Sequence, residues 1–248
     1  MMENKNAQKI KGDGNTQIIV NYNVDLDKNE VIKIIQSFGY VNKDEIVEIV
    51  KEVINDIPDS KKIKPDKRIF VPLIQQLSYS TDEEYIKSIY KNMLASTMNI
   101  DKVDKVHPAF LNILSQLSSD EIKILDSLPL VTLNQLPLIN MRMKINKQEG
   151  LGIVQVKYFS DIGYGKCQFP YNICKYIENL ERLKIIEIPY GIHLIDENKY
   201  NKLINHPELD SVRKSIPSTK NISIDYEYDK MVFRLTSFGI DFISCCKK

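Results

Sequence analysis

The sequence predicts a mainly α protein with a C-terminal α+β part and a short β segment at the N-terminus. Three observations predict it. Apolar residues recur at helical spacing from Val31 to Leu128. Along that stretch, Ser or Thr followed three residues later by Glu marks helix starts. After Gly150 this periodicity gives way to glycine, β-branched and aromatic residues separated by turn residues. The chain therefore divides into a Gly/Asn-rich β segment over 1–27, a helical domain over 28–148 and a smaller α+β domain over 149–248.

The N-terminal segment KIKGDGNTQIIVNYN turns at Gly12–Asn15, residue types that tolerate positive φ, and then runs β-branched from Gln17 to Tyr22. A lone strand or hairpin is barely stable in water, so this one must pair. Gly14, Asn15, Ile18 and Val20 are the candidate oligomerisation residues, and a homo-oligomer is expected. No Gly-Lys-Ser/Thr follows the glycines, which argues against a phosphate loop.

Helices come next. Val31, Ile34, Ile35 and Phe38 share one face. Asn42, with Glu45 three residues on, starts a helix that Ile57-Pro58 stops. Lys61–Lys67 is an expected surface loop. Leu73, Ile74 and Leu77 line another helix, with Pro72 in its first turn or at a kink. Thr81 with Glu84 starts a long helix carrying Tyr90, Met93, Leu94 and Met98, with Ala95 and Ser96 small enough for close helix approach. Pro108 opens a helix with Phe110, Leu111, Leu114 and Leu117 facing inward, and Ser118 with Glu121 caps the next. In the last third, Phe169–Lys184 reads as a helix. LERLKIIEIPYGIHLI reads as helix, strand, a turn at Pro189–Gly191, and strand. Ile222–Tyr226 and Met231–Leu235 read as strands joined through Glu227–Lys230, and Thr236 or Ser237 caps a final helix.

The bulk composition bounds the function. The 34 basic and 33 acidic residues leave a net charge of +1, too little for a protein that works by attraction to nucleic acid or anionic lipid. The abundance of Lys, Ile and Asn and the absence of Trp suggest an AT-rich bacterial gene. Cys167, Cys174, Cys245 and Cys246 form no C-x-x-C pair and no Cys–His zinc spacing, so free thiols in a reducing cytoplasm are expected. Met1–Gln8 is polar, and no stretch reaches the roughly 18 apolar residues of a membrane span. No cofactor or metal is expected.

Candidate catalytic groups are few. His107 stands just outside a helix N-terminus, where a protonated imidazole is disfavoured, and no ligand or general-base set accompanies it in the sequence. The acidic pairs Glu83/Glu84 and Asp120/Glu121 read as first-turn residues that favour the helix dipole. The chain is therefore not expected to be an enzyme.

The order of helix, LERLKIIEI, hairpin and LTSFGIDFI is similar to that of winged-helix modules, so the α+β domain is expected to be winged-helix-like. From Lys166 to Lys248 basic residues exceed acidic ones by only two, so nucleic acid is an alternative partner and not the favoured one.

LASTMNIDKVDKVHPAFLNILSQLSSDEIKIL, together with LTSFGIDFISCC near the C-terminus, resembles the bacterial abortive infection alpha family over roughly Pro65–Cys246. Leu94, Ala95, Ser96 and Met98 fill one block of its pattern, His107, Pro108 and Phe110 a second, and Leu117, Asp120, Glu121 and Leu125 a third. Ser119 stands where the family has proline. The resemblance implies a cytoplasmic phage-defence protein that arrests or kills the infected cell, and it implies no catalytic residues. A protein partner of phage or host origin is expected. Our own reading of His107, Pro108, Phe110, Leu117 and Glu121 is structural: a helix–cap–helix junction. The segment GDGNTQIIVNYN also resembles short β segments found ahead of bacterial defence and regulatory domains, which fits an oligomerisation strand.

Overall fold

The structure, a computed structural model, describes residues 28–37, 43–80, 84–146, 152–216 and 222–247. The expected N-terminal strand with Gly14, Asn15, Ile18 and Val20, and the expected caps at Asn42 and Thr81, lie outside these residues. The chain is mainly helical, with a four-stranded antiparallel sheet in its C-terminal half. It forms two compact units, one ending at Leu111 and one starting at Asn112.

The first unit is helical. It contains α1 (Lys28–Ser37), α2 (Lys43–Asp56), α3 (Lys67–Ser78) and α4 (Glu84–Thr97). α2 packs against the other three, and α3 packs against α4. The apolar positions read from the sequence are its core: Ile46, Val50, Leu73, Ile74, Leu77, Met93, Leu94 and Met98 are buried. Ser96 is buried too, which suits the close helix approach that its size permits. Asp66 caps α3 by accepting the Arg68 N–H at 2.8 Å. The helix thus begins well before Pro72, which lies inside α3 on its exposed side. There the absent N–H leaves a carbonyl to solvent at modest cost. α2 ends at Asp56, before Ile57-Pro58, as the proline requires. α5 (Ala109–Leu114) begins in this unit and ends in the next.

The second unit opens with α6 (Ser119–Asp126) and then forms the sheet from β1 (Leu136–Ile145), β2 (Ile153–Phe159), β3 (Ile186–Glu187) and β4 (Ile224–Leu235). The spatial order is β2-β1-β4-β3. β1 and β4 pair along their length, from Leu136 opposite Phe233 to Ile145 opposite Ile224. α7 (Ile173–Arg182) packs on β2 and α6, α8 (Glu197–Ile204) packs on β1, and α10 (Ser237–Cys246) packs on β4. α9 (Pro207–Ser215) follows α8. Phe159, Tyr200, Phe233 and Phe242 are fully buried, each stabilising the fold by about 1.5–3 kcal/mol. The charged face of the sheet is laced by ion pairs, Arg142 to Asp229 and Lys144 to Glu227, both at 2.7 Å.

Four elements differ from the sequence reading. β1 is a strand within 28–148, the stretch read as helical. The two expected strands Ile222–Tyr226 and Met231–Leu235 are merged into one, β4, which starts at Ile224 and runs unbroken through Glu227–Lys230. No Gly or Pro interrupts that tetrapeptide, and Asp229 is held across the sheet by Arg142. After the turn at Tyr190–Gly191, where Gly191 has φ +72°, Ile192–Ile195 does not become a strand. Pro189 offers no N–H to a ladder, and the Leu194 N–H goes instead to the Tyr200 hydroxyl. α9 is a helix that the sequence reading did not contain.

Candidate functional site

The residues that carry the family pattern fall into two groups. His107 and Pro108 are exposed just ahead of α5. His107 Nδ1 accepts the Ala109 N–H at 3.1 Å, and its ring lies 6.0 Å from that of Phe110, which is buried. An Nδ1 that accepts a hydrogen bond carries no proton, so this contact belongs to the imidazole with Nδ1 free of hydrogen. His206, whose role the sequence did not reveal, repeats the construction. Its Nδ1 accepts the Glu208 N–H at 3.3 Å, and Pro207 opens α9. His206 also packs against Tyr164 and Phe159, with ring centroids at 4.3 and 5.2 Å. Burial pushes the Tyr164 phenol up to about 12, with the Glu208 charge adding to the shift, and its buried oxygen has no hydrogen-bond partner among the described residues.

Ser118, Asp120 and Glu121 form the second group, with Leu117 half-buried just before them. Ser118 caps α6 by accepting the Glu121 N–H at 3.3 Å, and Glu121 Oε2 accepts both the Ser118 N–H and its hydroxyl at 2.7 Å. The capping box read from the sequence is therefore complete. Glu121 does more than cap. Its other oxygen accepts from Asn179 Nδ2 on α7 at 2.7 Å. Asn179 in turn donates to the Gln116 carbonyl at 3.0 Å and accepts from Arg182 at 2.6 Å.

Asp120 is buried and ties the loop before α7 to α6. Its carboxylate accepts the Gln168 and Phe169 N–H groups, both at 2.8 Å, the Tyr176 hydroxyl at 3.0 Å and Lys123 Nζ at 3.2 Å. Burial by itself would raise its pKa. The two amides, Lys123 and Tyr176 together outweigh burial and hold the carboxyl below the usual aspartate range. Tyr176 is pushed up to about 12, by burial first and then by the Asp120 charge. Sequence reasoning placed Asp120 only as a helix-dipole residue, because its partners Gln168, Phe169 and Tyr176 lie 48 to 56 positions away.

The C-terminal LTSFG pattern has a similar physical basis. Thr236 Oγ1 accepts the Gly239 N–H at 2.9 Å and donates to the Lys184 carbonyl at 2.7 Å. A Cβ on Gly239 would stand 2.1 Å from the Ile185 carbonyl oxygen, so only glycine lets α10 approach this closely. Beside this junction lies an open cleft of about 480 Å³, lined by Thr132, Glu187, Arg234, Thr236 and Ser237 among others. Arg234 spends its charge on Glu187, 2.6 Å away on the neighbouring strand. Among the described residues, no group of three or more His, Cys, Asp or Glu side chains could hold a metal ion.

Two loops leave the sheet near this cleft, because β1 starts opposite Phe233 and β3 ends opposite Arg234. Both display apolar side chains. Leu133, ahead of β1, is 84% exposed; Tyr190 and Ile195, after β3, are 102% and 98% exposed. The second loop is anchored at its far end. The buried Tyr200 hydroxyl accepts the Leu194 N–H at 2.8 Å and donates to the Met231 carbonyl at 2.9 Å.

The cysteines form no disulfide. Burial raises the Cys174 thiol to about 11 and Cys246 well above its ordinary value, which opposes thiolate chemistry at both. No described helix is long and apolar enough to cross a membrane.

The profile of the family described as abortive infection alpha matches residues 40–246. No curated protein matches the chain. A solved structure of an uncharacterized protein from the hydrocarbon-degrading marine bacterium Alcanivorax borkumensis SK2 is similar at 14% identity, with a TM-score of 0.37. The match covers 59% of this chain and 94% of that one.

Proposed function

The chain belongs to the abortive infection alpha family, and on that premise we propose that it defends a bacterial cell against phage through protein contacts rather than catalysis. Family membership suggests phage defence of the abortive-infection type. In our reading the protein acts in the cytoplasm, binds a protein of phage or host origin, and associates with itself through the segment around Gly14, Asn15, Ile18 and Val20.

One observation carries the contact reading: the anchored loop that turns Tyr190 and Ile195 into solvent. Large apolar side chains held outward on a fixed loop suit a protein partner. The acids that a hydrolytic reading would call on, Asp120 and Glu121, have their oxygens committed to the fold. The alternative, a nucleic-acid-binding regulator using a winged-helix-like C-terminal part, would need unpaired cations on the presented surface. Arg142, Lys144, Lys230 and Arg234 are instead matched by Asp229, Glu227, Glu197 and Glu187. The paired cations of the sheet therefore favour the protein-contact reading.

The direct test is phage challenge. Cells expressing the chain should give fewer plaques than cells carrying an empty vector for at least one member of a broad phage panel. Equal plaque counts across the whole panel would overturn the defence reading.

A further inference from the structure

His206 and Tyr164 meet where one hydrogen bond is made and another is missing. His206 is half-buried at the start of α9, with its ring 5.2 Å from that of Phe159 and 4.3 Å from that of Tyr164. Its Nδ1 accepts the Glu208 N–H, which that nitrogen can do only while it carries no proton. The caps of α3, α6, α8 and α10 are Asp66, Ser118, Asp196 and Thr236, residue types that keep their charge near neutral pH. The α9 cap is made by an imidazole, which does not. The Tyr164 oxygen beside it is buried and has no hydrogen-bond partner among the described residues. A buried hydroxyl is left so only at a cost, and it calls for a state in which the partner is present.

We propose that His206 is a proton-operated latch on α9: the neutral imidazole caps the helix through Nδ1, and the protonated ring leaves the Glu208 N–H and donates to the Tyr164 hydroxyl oxygen. Protonation turns Nδ1 from acceptor into donor, so it repels the N–H it had bound, and the helix N-terminus adds to that repulsion. Turning the ring toward Tyr164 then gives the orphaned oxygen its donor, so acid exchanges one bond for another. The surrounding groups leave the change to His206. Glu208, on α9 itself, is a carboxylate that favours the charged ring. Burial pushes the Tyr164 phenol up to about 12 and the Cys174 thiol of α7 up to about 11, so both stay neutral. Asp161, in the loop after β2, is paired with Lys202 of α8 at 2.6 Å. Release of the cap frays the first turn of α9. That turn lies beside the buried Leu209 and ahead of Arg213, which donates to the Ile204 carbonyl and the Tyr228 hydroxyl. Acidification thereby loosens α9 from the end of α8 and from β4.

The test is heteronuclear NMR on the full chain from about pH 8 to about pH 5.5, a range that spans imidazole protonation and stays above that of glutamate. In the wild type the Glu208 amide resonance should move with the same midpoint as the His206 ring. In His206→Asn the side chain still caps but does not titrate, so the Glu208 amide should stay in place across the range. Tyr164→Phe removes only an oxygen that lacks a partner in the capped state, so it should melt no lower than wild type at about pH 8. It also removes the acceptor of the charged ring, so the His206 midpoint should move to lower pH. A Glu208 amide that ignores the His206 titration, or that still moves in His206→Asn, overturns the latch. So does a Tyr164→Phe variant that melts lower at about pH 8 or leaves the His206 midpoint unchanged.

Discussion

Replacing Asp120 with Ala should destabilise the unit from Asn112 onward by about 2–4 kcal/mol. The substitution removes the acceptor of two backbone amides and a buried phenol at once. Each donor left without a partner costs about 1–3 kcal/mol, less where water can reach it, and the losses overlap because all three share one carboxylate. Chemical denaturation followed by amide hydrogen exchange within this unit, at Gln168 and Phe169 among others, reads the change. The acid limb gives an independent check. Asp120 has its folded pKa lowered, so the stability it contributes is present above the unfolded aspartate pKa and is lost as pH falls through the folded value. Below the ordinary aspartate range the wild type should lose part of its advantage over Asp120→Ala, and the two stabilities should converge. A variant as stable as wild type at neutral pH would show that Asp120 does not hold the loop before α7.

Gly239→Ala should cost about 3 kcal/mol or more. On helix propensity alone the change would stabilise α10 by roughly 1 kcal/mol, so the two accounts predict opposite signs. Crowding decides the outcome. The added methyl would lie 2.1 Å from the Ile185 oxygen and 2.8 Å from its carbonyl carbon, both backbone atoms that cannot swing aside. Relief requires α10 to move off the Lys184–Ile185 backbone, which breaks the Thr236 bond to the Lys184 carbonyl and strains the Ile186–Leu235 pairing. Thermal unfolding of the variant measures this, and an unchanged or raised melting temperature would contradict the close approach.

These two residues show where the sequence was informative and where it was not. Local rules carried the helices. Ser118 with Glu121 forms the reciprocal box that its spacing implies, and the turn before Gly191 takes the left-handed φ that glycine permits. Long-range pairing was hidden. Asp120 and Asn179 look like ordinary helix-surface residues until the fold brings α6 and α7 together. β1 alternates from Ile139 to Ile145, yet its Met, Arg and Lys are good helix formers and it has few β-branched residues. Its strand character comes from the partners on either side. The missed strand break after Pro189 has the converse cause, since a β-rich peptide was diverted by a tertiary hydrogen bond from Leu194 to Tyr200. Of the candidate site, the Ser118–Glu121 capping box was legible. The exposed pair Tyr190 and Ile195 was not legible, because apolar residues in a predicted hairpin read as core.

Asp120, Glu121 and Gly239 build the fold, and we propose that the loop carrying Tyr190 and Ile195 is the surface that meets a partner. That division is tested most directly by plaque counts on cells expressing wild type or Tyr190→Ser with Ile195→Ser, matched for protein level and melting temperature. Both side chains are almost wholly in solvent, so the double variant should fold as the wild type does. Protection should be lost in the double variant while stability is kept. Full protection by the double variant would contradict it and move the acting surface elsewhere on the chain.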